Sequence, residues 1–341
     1  MPFALNSCFV LSGSPAVPAG GRGRLHYAVM KTRYAALAVA VTLIGPASAQ
    51  EKNPFLGRWD LVVTSPRGTA NQWMEIVEKD GKLDGRIQPG GGAVRPIVAA
   101  RMEGSHLVIT VSAATDRGPE VTWDVTTDGS KITGVQKRGE NSDTKVAGVR
   151  APELKRPMPK AWTDPEPLLN GKDLTGWEVV GNPANSHWLI RDGELVNDNP
   201  GHGGANIKTT RKFDDFKLHI EVNCPEHGNS GIYLRGRYEI QVGTEGGTVP
   251  SHEMGAIYGY RAPDGGLPNG LGNWSTFDIT LVGRTVTVIR DGVKIHDQVE
   301  IPGITGGVLD VNEGEPGPFY LQGDHQGVIR FRNILVSVPK M

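Results

Sequence analysis

Apolar and polar positions alternate in short runs along most of the chain, with a period of two rather than 3.6. In the first half, runs at 58–64, 72–79, 82–88, 94–101, 106–112, 120–126 and 131–137 read as strands. Turn signals separate them, among them Lys79-Asp80-Gly81, Glu103-Gly104-Ser105 and Asp128-Gly129-Ser130. From Leu168 the rhythm resumes at 177–180, 188–191, 194–196, 205–209, 216–223, 231–235, 238–242, 256–260, 274–282, 285–290, 293–298, 318–322 and 327–338. Asp192-Gly193 and Asp291-Gly292, each flanked by strand residues, predict tight hairpins. No long amphipathic helical pattern interrupts these runs. The prediction is an all-β chain: a small antiparallel β-barrel-like domain over 50–150, then a two-sheet jelly-roll sandwich over 168–341.

Between the two halves, residues 151–167 carry five prolines. Proline fixes φ and lacks the N–H that a ladder needs, so this stretch reads as a semi-rigid linker. Trp59, Trp73 and Trp123 are expected as core anchors of the first half, and Trp177, Trp188 and Phe331 as core of the second. The opening Phe55-Leu56-Gly57-Arg58-Trp59 and the up-and-down rhythm give the first half a faint lipocalin-like look.

Composition sharpens this picture in three ways. The 36 basic and 37 acidic residues leave a net charge of −1, which draws the chain neither to nucleic acid nor to a membrane surface. Residues 30–49 run from Met-Lys-Thr-Arg through an apolar stretch to Ala47-Ser48-Ala49, the pattern of a secretory signal peptide. The apolar run is shorter than the ~20 residues that span a bilayer, so export to a periplasm or medium is expected, without stable membrane insertion after signal removal. Residues 1–29 read as an extension upstream of the better start at Met30. Of two cysteines, Cys8 would be lost on export, leaving Cys224 as a single thiol, expected to be buried.

Candidate chemistry concentrates in Asn229-Ser230-Gly231-Ile232-Tyr233-Leu234-Arg235-Gly236-Arg237-Tyr238-Glu239-Ile240-Gln241. Alternation sets Ile232 and Leu234 against Tyr233 and Arg235, and Tyr238 and Ile240 against Glu239 and Gln241. A phenol, a guanidinium, a carboxylate and an amide are therefore predicted on one side of adjacent strands. A cross-strand Arg235–Glu239 ion pair of purely structural value is the plain alternative.

The ordered set of short motifs around this stretch resembles the 3-keto-disaccharide hydrolase domain family. It runs from Leu169-Asn170-Gly171-Lys172-Asp173-Leu174-Thr175-Gly176-Trp177, through Asp192-Gly193-Glu194-Leu195, Phe213-Asp214-Asp215-Phe216 and Asn229–Gln241, to Gly255-Ala256-Ile257-Tyr258-Gly259, Gly272-Asn273-Trp274 and Phe331-Arg332-Asn333-Ile334. The resemblance spans about 167–338 and implies a concanavalin A-like lectin/glucanase sandwich acting on 3-keto-glycosides. The chain departs at 243–253, where relatives continue with an acidic residue after the glutamine and this chain has Val242-Gly243-Thr244.

A ketone at sugar C3 acidifies the C2 proton and places the C1 substituent β to the carbonyl. Elimination then needs a base at C2, a donor at the C3 oxygen and an acid at the leaving group. On that implication Glu239 or His325 is the candidate base, and Arg235 the donor to the enolate oxygen. Glu221 is a second acid/base candidate, while Asn229, Tyr233, Gln241, Trp274 and Gln322 are substrate-binding candidates. His187, His202 and His227 read as surface residues. Two other readings stand beside this one: a carbohydrate-binding lectin of the same sandwich, and a conventional glucanase, whose Glu-x-Asp-x-x-Glu strand pattern is missing. A divalent metal ion is possible at His252-Glu253 or in the acidic run Asp310, Asn312, Glu313 and Glu315, although that run lacks EF-hand spacing. No phosphate loop, dinucleotide fingerprint, serine elbow or zinc-finger spacing is found.

Overall fold

A computed structural model describes residues 53–340 except 67, 90, 113–119, 140–142 and 267–268. The expected signal segment 30–49 lies outside the described residues. Eight strands come first: β1 (Gly57–Ser65), β2 (Gly68–Lys79), β3 (Lys82–Gln88), β4 (Arg95–Glu103), β5 (His106–Val111), β6 (Val121–Thr127), β7 (Lys131–Arg138) and β8 (Thr144–Arg150). Each pairs antiparallel with its sequence neighbour, and β8 returns to β1, so the barrel closes and leaves no sheet edge. The inward rows, among them Leu61, Val63, Met74, Ile76, Ile109, Trp123 and Val125, fill the interior.

Sequence alternation anticipates seven of these strands and misses β8. In β8 the inward residues are Val146 and Gly148, and Gly148 sits where a Cβ would overlap the Asp60 carbonyl and Leu61. A strand that must be small to close the barrel carries a weak apolar signal. The tryptophans also divide. Trp59 and Trp123 are barrel core, whereas Trp73 points outward, opposite in parity to Met74 and Ile76, and is nonetheless fully buried.

Residues 151–165 run along the surface of the second half of the chain instead of standing off it. Leu154 is buried, Arg156 bridges Asp214 at 2.5 Å and Asp215 at 3.1 Å, and Arg284 donates to the Pro152 carbonyl. At its end β9 (Glu166–Pro167) pairs with a strand edge, where proline's missing N–H costs nothing.

The remaining strands are β10 (Trp177–Val180), β11 (Trp188–Arg191), β12 (Glu194–Asn199), β13 (Asn206–Thr209), β14 (Phe216–Asn223), β15 (Asn229–Leu234), β16 (Tyr238–Gly243), β17 (Trp274–Val282), β18 (Thr285–Arg290), β19 (Val293–Glu300), β20 (Tyr320–Leu321) and β21 (Gly327–Ser337). They form two sheets. One has the order β10-β13-β20-β15-β16; the other runs β11-β12-β21-β14-β17-β18-β19, with β9 beside β21. Both contribute to one apolar core that includes Trp177, Trp188, Ile232, Ile240, Phe277 and Phe331. Asp192-Gly193 and Asp291-Gly292 form the predicted hairpins, with φ of 54° and 79°, and 50° and 78°. The expected strand at 256–260 is instead a glycine-punctuated loop that touches β16 through one isolated bridge, Ile240–Ile257, since Gly255 and Gly259 take φ of 90° and 66°. Cys224 is buried as expected, and burial first, then the Glu245 charge, push its thiol up to about 12. Among the described residues no helix is long and apolar enough to cross a membrane.

Candidate functional site

The outer face of the five-stranded sheet carries a polar ladder. Core residues Ile232, Ile240 and Leu321 point in, so the residues between them point out. Register aligns Tyr320, Tyr233 and Glu239 in one row across β20, β15 and β16. The next row joins Gln322, whose N–H donates to the Gly231 carbonyl, with Gly231 and Gln241. Asn229 closes the face, its Oδ1 accepting from Gln241 Nε2 at 3.3 Å. Tyr233, Glu239, Gln241, Asn229 and Gln322 are thus brought together as alternation predicts.

Glu239 is 2% exposed and has no cation partner among the described ion pairs. Its backbone N–H donates to Thr305 Oγ1 at 2.7 Å, and its carbonyl accepts from the Tyr258 N–H at 3.0 Å. A Cβ on Gly231 or Gly306 would overlap its carboxylate oxygens, so the two glycines form floor and roof. Burial pushes its pKa up to about 8; the Tyr233 hydrogen bond opposes this and the Asp324 charge adds to it. The Tyr233 hydroxyl accepts from the Gly307 N–H at 3.0 Å, which leaves its own proton to donate to Glu239. Burial, then the Glu239 charge, raise Tyr233 well above the ordinary phenol range.

The ladder opens at one end into a cleft of about 460 Å³, walled by His202, His227, Asn229, Thr244, Glu245 and His325 among others. The imidazoles of His202 and His325 meet edge to face at 5.7 Å. Glu239 is not part of the cleft wall; Gln241 and Asn229 connect the two. Nearby, Asp324 Oδ1 and His252 Nε2 are buried without a hydrogen bond, and His325 Nε2 stands 3.7 Å from Asp324 Oδ1. His252 stacks on Tyr258 at 4.5 Å, and burial lowers its pKa against the pull of Glu253.

Three predicted site residues lie elsewhere. Arg235 occupies the β15–β16 turn with φ of 53°, and this left-handed step takes its side chain off the strand alternation. Its guanidinium binds Asp214 at 3.1 Å, the Tyr238 hydroxyl at 3.1 Å and the Gly283 carbonyl at 2.9 Å, below the sheet rather than on its face. No Arg235–Glu239 pair forms. Glu221 and Trp274 project from the outer face of the other sheet, across the core from Glu239. There Glu221 accepts from Arg332 at 2.7 Å and Asn333 at 2.6 Å; burial pushes its pKa up, but these bonds win and hold it below the usual range. The Arg332 guanidinium covers the Trp274 ring at 3.9 Å, where a sugar would have to stack.

Sequence reading missed Tyr320, Tyr258 and Asp324, and placed His202 and His227 as isolated surface residues. The histidines come from three separate loops, β12–β13, β14–β15 and β20–β21, so no spacing in the chain announces them. Tyr320 could have been found by parity, two positions before Gln322. The acidic run does not converge: Asp310 pairs with Arg237, and Glu313 is buried against Tyr238 and Arg284. Glu253 accepts from Gly246 and Gly247. Among the described residues no three His, Cys, Asp or Glu side chains converge as metal ligands do.

The part of the chain that carries this face is the part that a family model matches. A family model described as a 3-keto-alpha-glucoside-1,2-lyase-like domain matches residues 164–337. The chain belongs to that family. Two solved structures from Parabacteroides distasonis ATCC 8503, each described as a candidate glycosyl hydrolase, are similar. One is 32% identical and covers 54% of this chain and 93% of its own, with a TM-score of 0.44. The other is 24% identical and covers 52% and 98%, with a TM-score of 0.39. No curated protein matches the chain.

Proposed function

We propose that the protein is an exported carbohydrate-active enzyme whose concanavalin A-like jelly-roll domain cleaves 3-keto-glycosides by elimination and rehydration. Family membership supports a carbohydrate-active enzyme. The observation that carries the mechanism is the buried, cation-free Glu239 carboxyl, its pKa pushed up to about 8 by burial and its oxygen hydrogen-bonded to Tyr233.

In this reading the sugar enters by the histidine-walled cleft and reaches Glu239 past Asn229 and Gln241, beneath the Gly306–Gly307 turn. Glu239 takes the C2 proton, and the C–H electron pair forms the C2–C3 double bond of an enolate. The enolate collapses to the ketone, C1–C2 becomes double, and the C1–O bond breaks. His325, half-exposed on the cleft wall, protonates the departing oxygen. Water then adds at C1, C2 regains a proton, and the net reaction is hydrolysis. Arg235 has no part in it, because its guanidinium lies below the sheet, where Nη1 donates to Asp214 and Nη2 to Tyr238 and Gly283. The donor to the C3 oxygen is instead Tyr320, whose hydroxyl accepts from Asn206 Nδ2 at 2.5 Å and keeps its proton free. Asn229, Gln241 and Gln322 hold sugar hydroxyls.

The test is turnover of a panel of 3-keto-glucosides beside their unoxidised parents, with and without a chelator. Release of aglycone from the keto series alone is the expected result. Saturable binding of unoxidised glycans without turnover of any keto substrate would move the reading to a lectin.

A further inference from the structure

The barrel meets the second half of the chain at the roof of Glu239. Trp73 is the outward-facing tryptophan of β2, and its indole Nε1–H donates to the Ile304 carbonyl at 2.9 Å and to Gln88 Oε1 at 2.9 Å. Gly303 lies flat on the indole ring; a Cβ there would stand 2.5 Å from Trp73 Cγ. Residues 305–307 touch the site. Thr305 Oγ1 accepts the Glu239 N–H, Gly306 seats on the carboxylate, and the Gly307 N–H donates to Tyr233. Five consecutive residues are therefore clamped between a barrel side chain and the polar ladder. Further contacts hold the same seam: Arg58 donates to the Pro302 carbonyl at 3.1 Å, and the Val94 N–H donates to the Gly259 carbonyl at 2.8 Å.

We propose that the barrel is a working part of the site: through residues 303–307, Trp73 positions the Glu239 carboxyl and keeps water from it. Trp73 is a positioning residue and touches no substrate. The proposal rests on the reading of Glu239 as the base, and it gives the barrel a role that the family match, confined to 164–337, does not cover. A buried carboxyl is sensitive to such a roof, because small displacements admit water and change both its alignment and its proton affinity. The groups that set its titration are Tyr233 on β15, Asp324 after β20 and the burial itself, while Tyr258 and Tyr320 sense its charge from the flanking loop and strand.

The experiment is a carboxyl ¹³C NMR titration of the full chain, with the Glu239 resonance identified by its loss in Glu239→Gln, alongside kcat and KM on a keto substrate. Trp73→Phe keeps the ring and removes the hydrogen bond; Gly303→Ala pushes the clamp apart from the other side. Trp123→Phe, in the barrel interior, controls for general loosening. The expected result is a Glu239 midpoint that falls from about 8 toward the ordinary carboxylate range in both clamp variants and stays in the control. With it kcat falls about ten- to a hundredfold while KM holds within about twofold. An unmoved midpoint in folded Trp73→Phe, or an equal shift in the control, overturns the proposal. If Trp73→Phe does not fold, Gly303→Ala decides by the same midpoint. If the wild type turns over no keto substrate yet the midpoint falls as described, the positioning stands and the catalytic reading fails.

Discussion

At the scale of single residues, the site turns on how one carboxyl is kept neutral-poised. Glu239 has no cation beside it, so burial sets its proton affinity and Tyr233 moderates it. Replacing Glu239 with Gln should leave the fold intact and lower kcat by about 10²–10⁴, as loss of a general base does. Tyr233→Phe tests the sign of the coupling. The phenol stabilises the charged carboxylate, so removing it raises the Glu239 pKa, and the acidic limb of kcat/KM should move to higher pH. A limb that moves to lower pH, or does not move, contradicts the assignment. Much of this was legible beforehand, because a period of two places Tyr233, Glu239 and Gln241 on one face whatever the fold. Arg235 was misread for a local reason. Alternation holds only while the backbone stays extended, and a left-handed φ at residue 235 ends it one residue earlier than the sequence suggests.

Elements tell a different story, since what is legible in a strand is its apolar row. The two Asp-Gly hairpins follow directly from turn chemistry. β8 does not, because closing the barrel requires Gly148 to pass against Asp60 and Leu61, and a glycine leaves no apolar mark. Gly148→Ala should therefore overpack the seam and cost about 1–3 kcal/mol in denaturant unfolding, more than an alanine on an exposed strand position. The long motif Asn170–Trp177 proves to be a turn device. Asn170 Oδ1 accepts from the Lys172 and Asp173 N–H groups, Asp173 from Thr175, and Trp177 Nε1 reaches back to the Leu168 carbonyl. Its specificity as a family mark reflects folding geometry, whereas the cleft histidines come from loops that carry no such mark.

Across the whole molecule, the barrel and the two-sheet half share a buried polar seam. Asp60 of β1 meets Glu313, which accepts from Tyr238 at 2.8 Å and faces Arg284 at 3.5 Å. Burial foremost, then the charge and hydrogen bond of Glu313, push Asp60 up to about 9. The sign follows from linkage: the unfolded chain releases this proton near pH 4 and the folded chain keeps it, so stability falls as pH rises between those values. Each pH unit in that window removes up to about 1.4 kcal/mol for one such group. Asp60→Asn should flatten the decline in stability between pH 5 and 8, measured by chemical denaturation at each pH. A slope equal to the wild type's would show that Asp60 ionises freely in the folded protein. Nothing in composition announces this seam, because Asp60 lies more than 200 residues from Arg284 and Glu313 in the chain.

The central claim is cleavage by removal of the C2 proton, and deuterium tests it most directly. The protein is incubated in D₂O with a 3-keto-α-glucoside, and the released sugar is compared by NMR with the same keto sugar held in D₂O without enzyme. Elimination and rehydration predict deuterium at C2 in step with aglycone release and beyond the enzyme-free control. Aglycone released with the C2 proton retained would contradict the account.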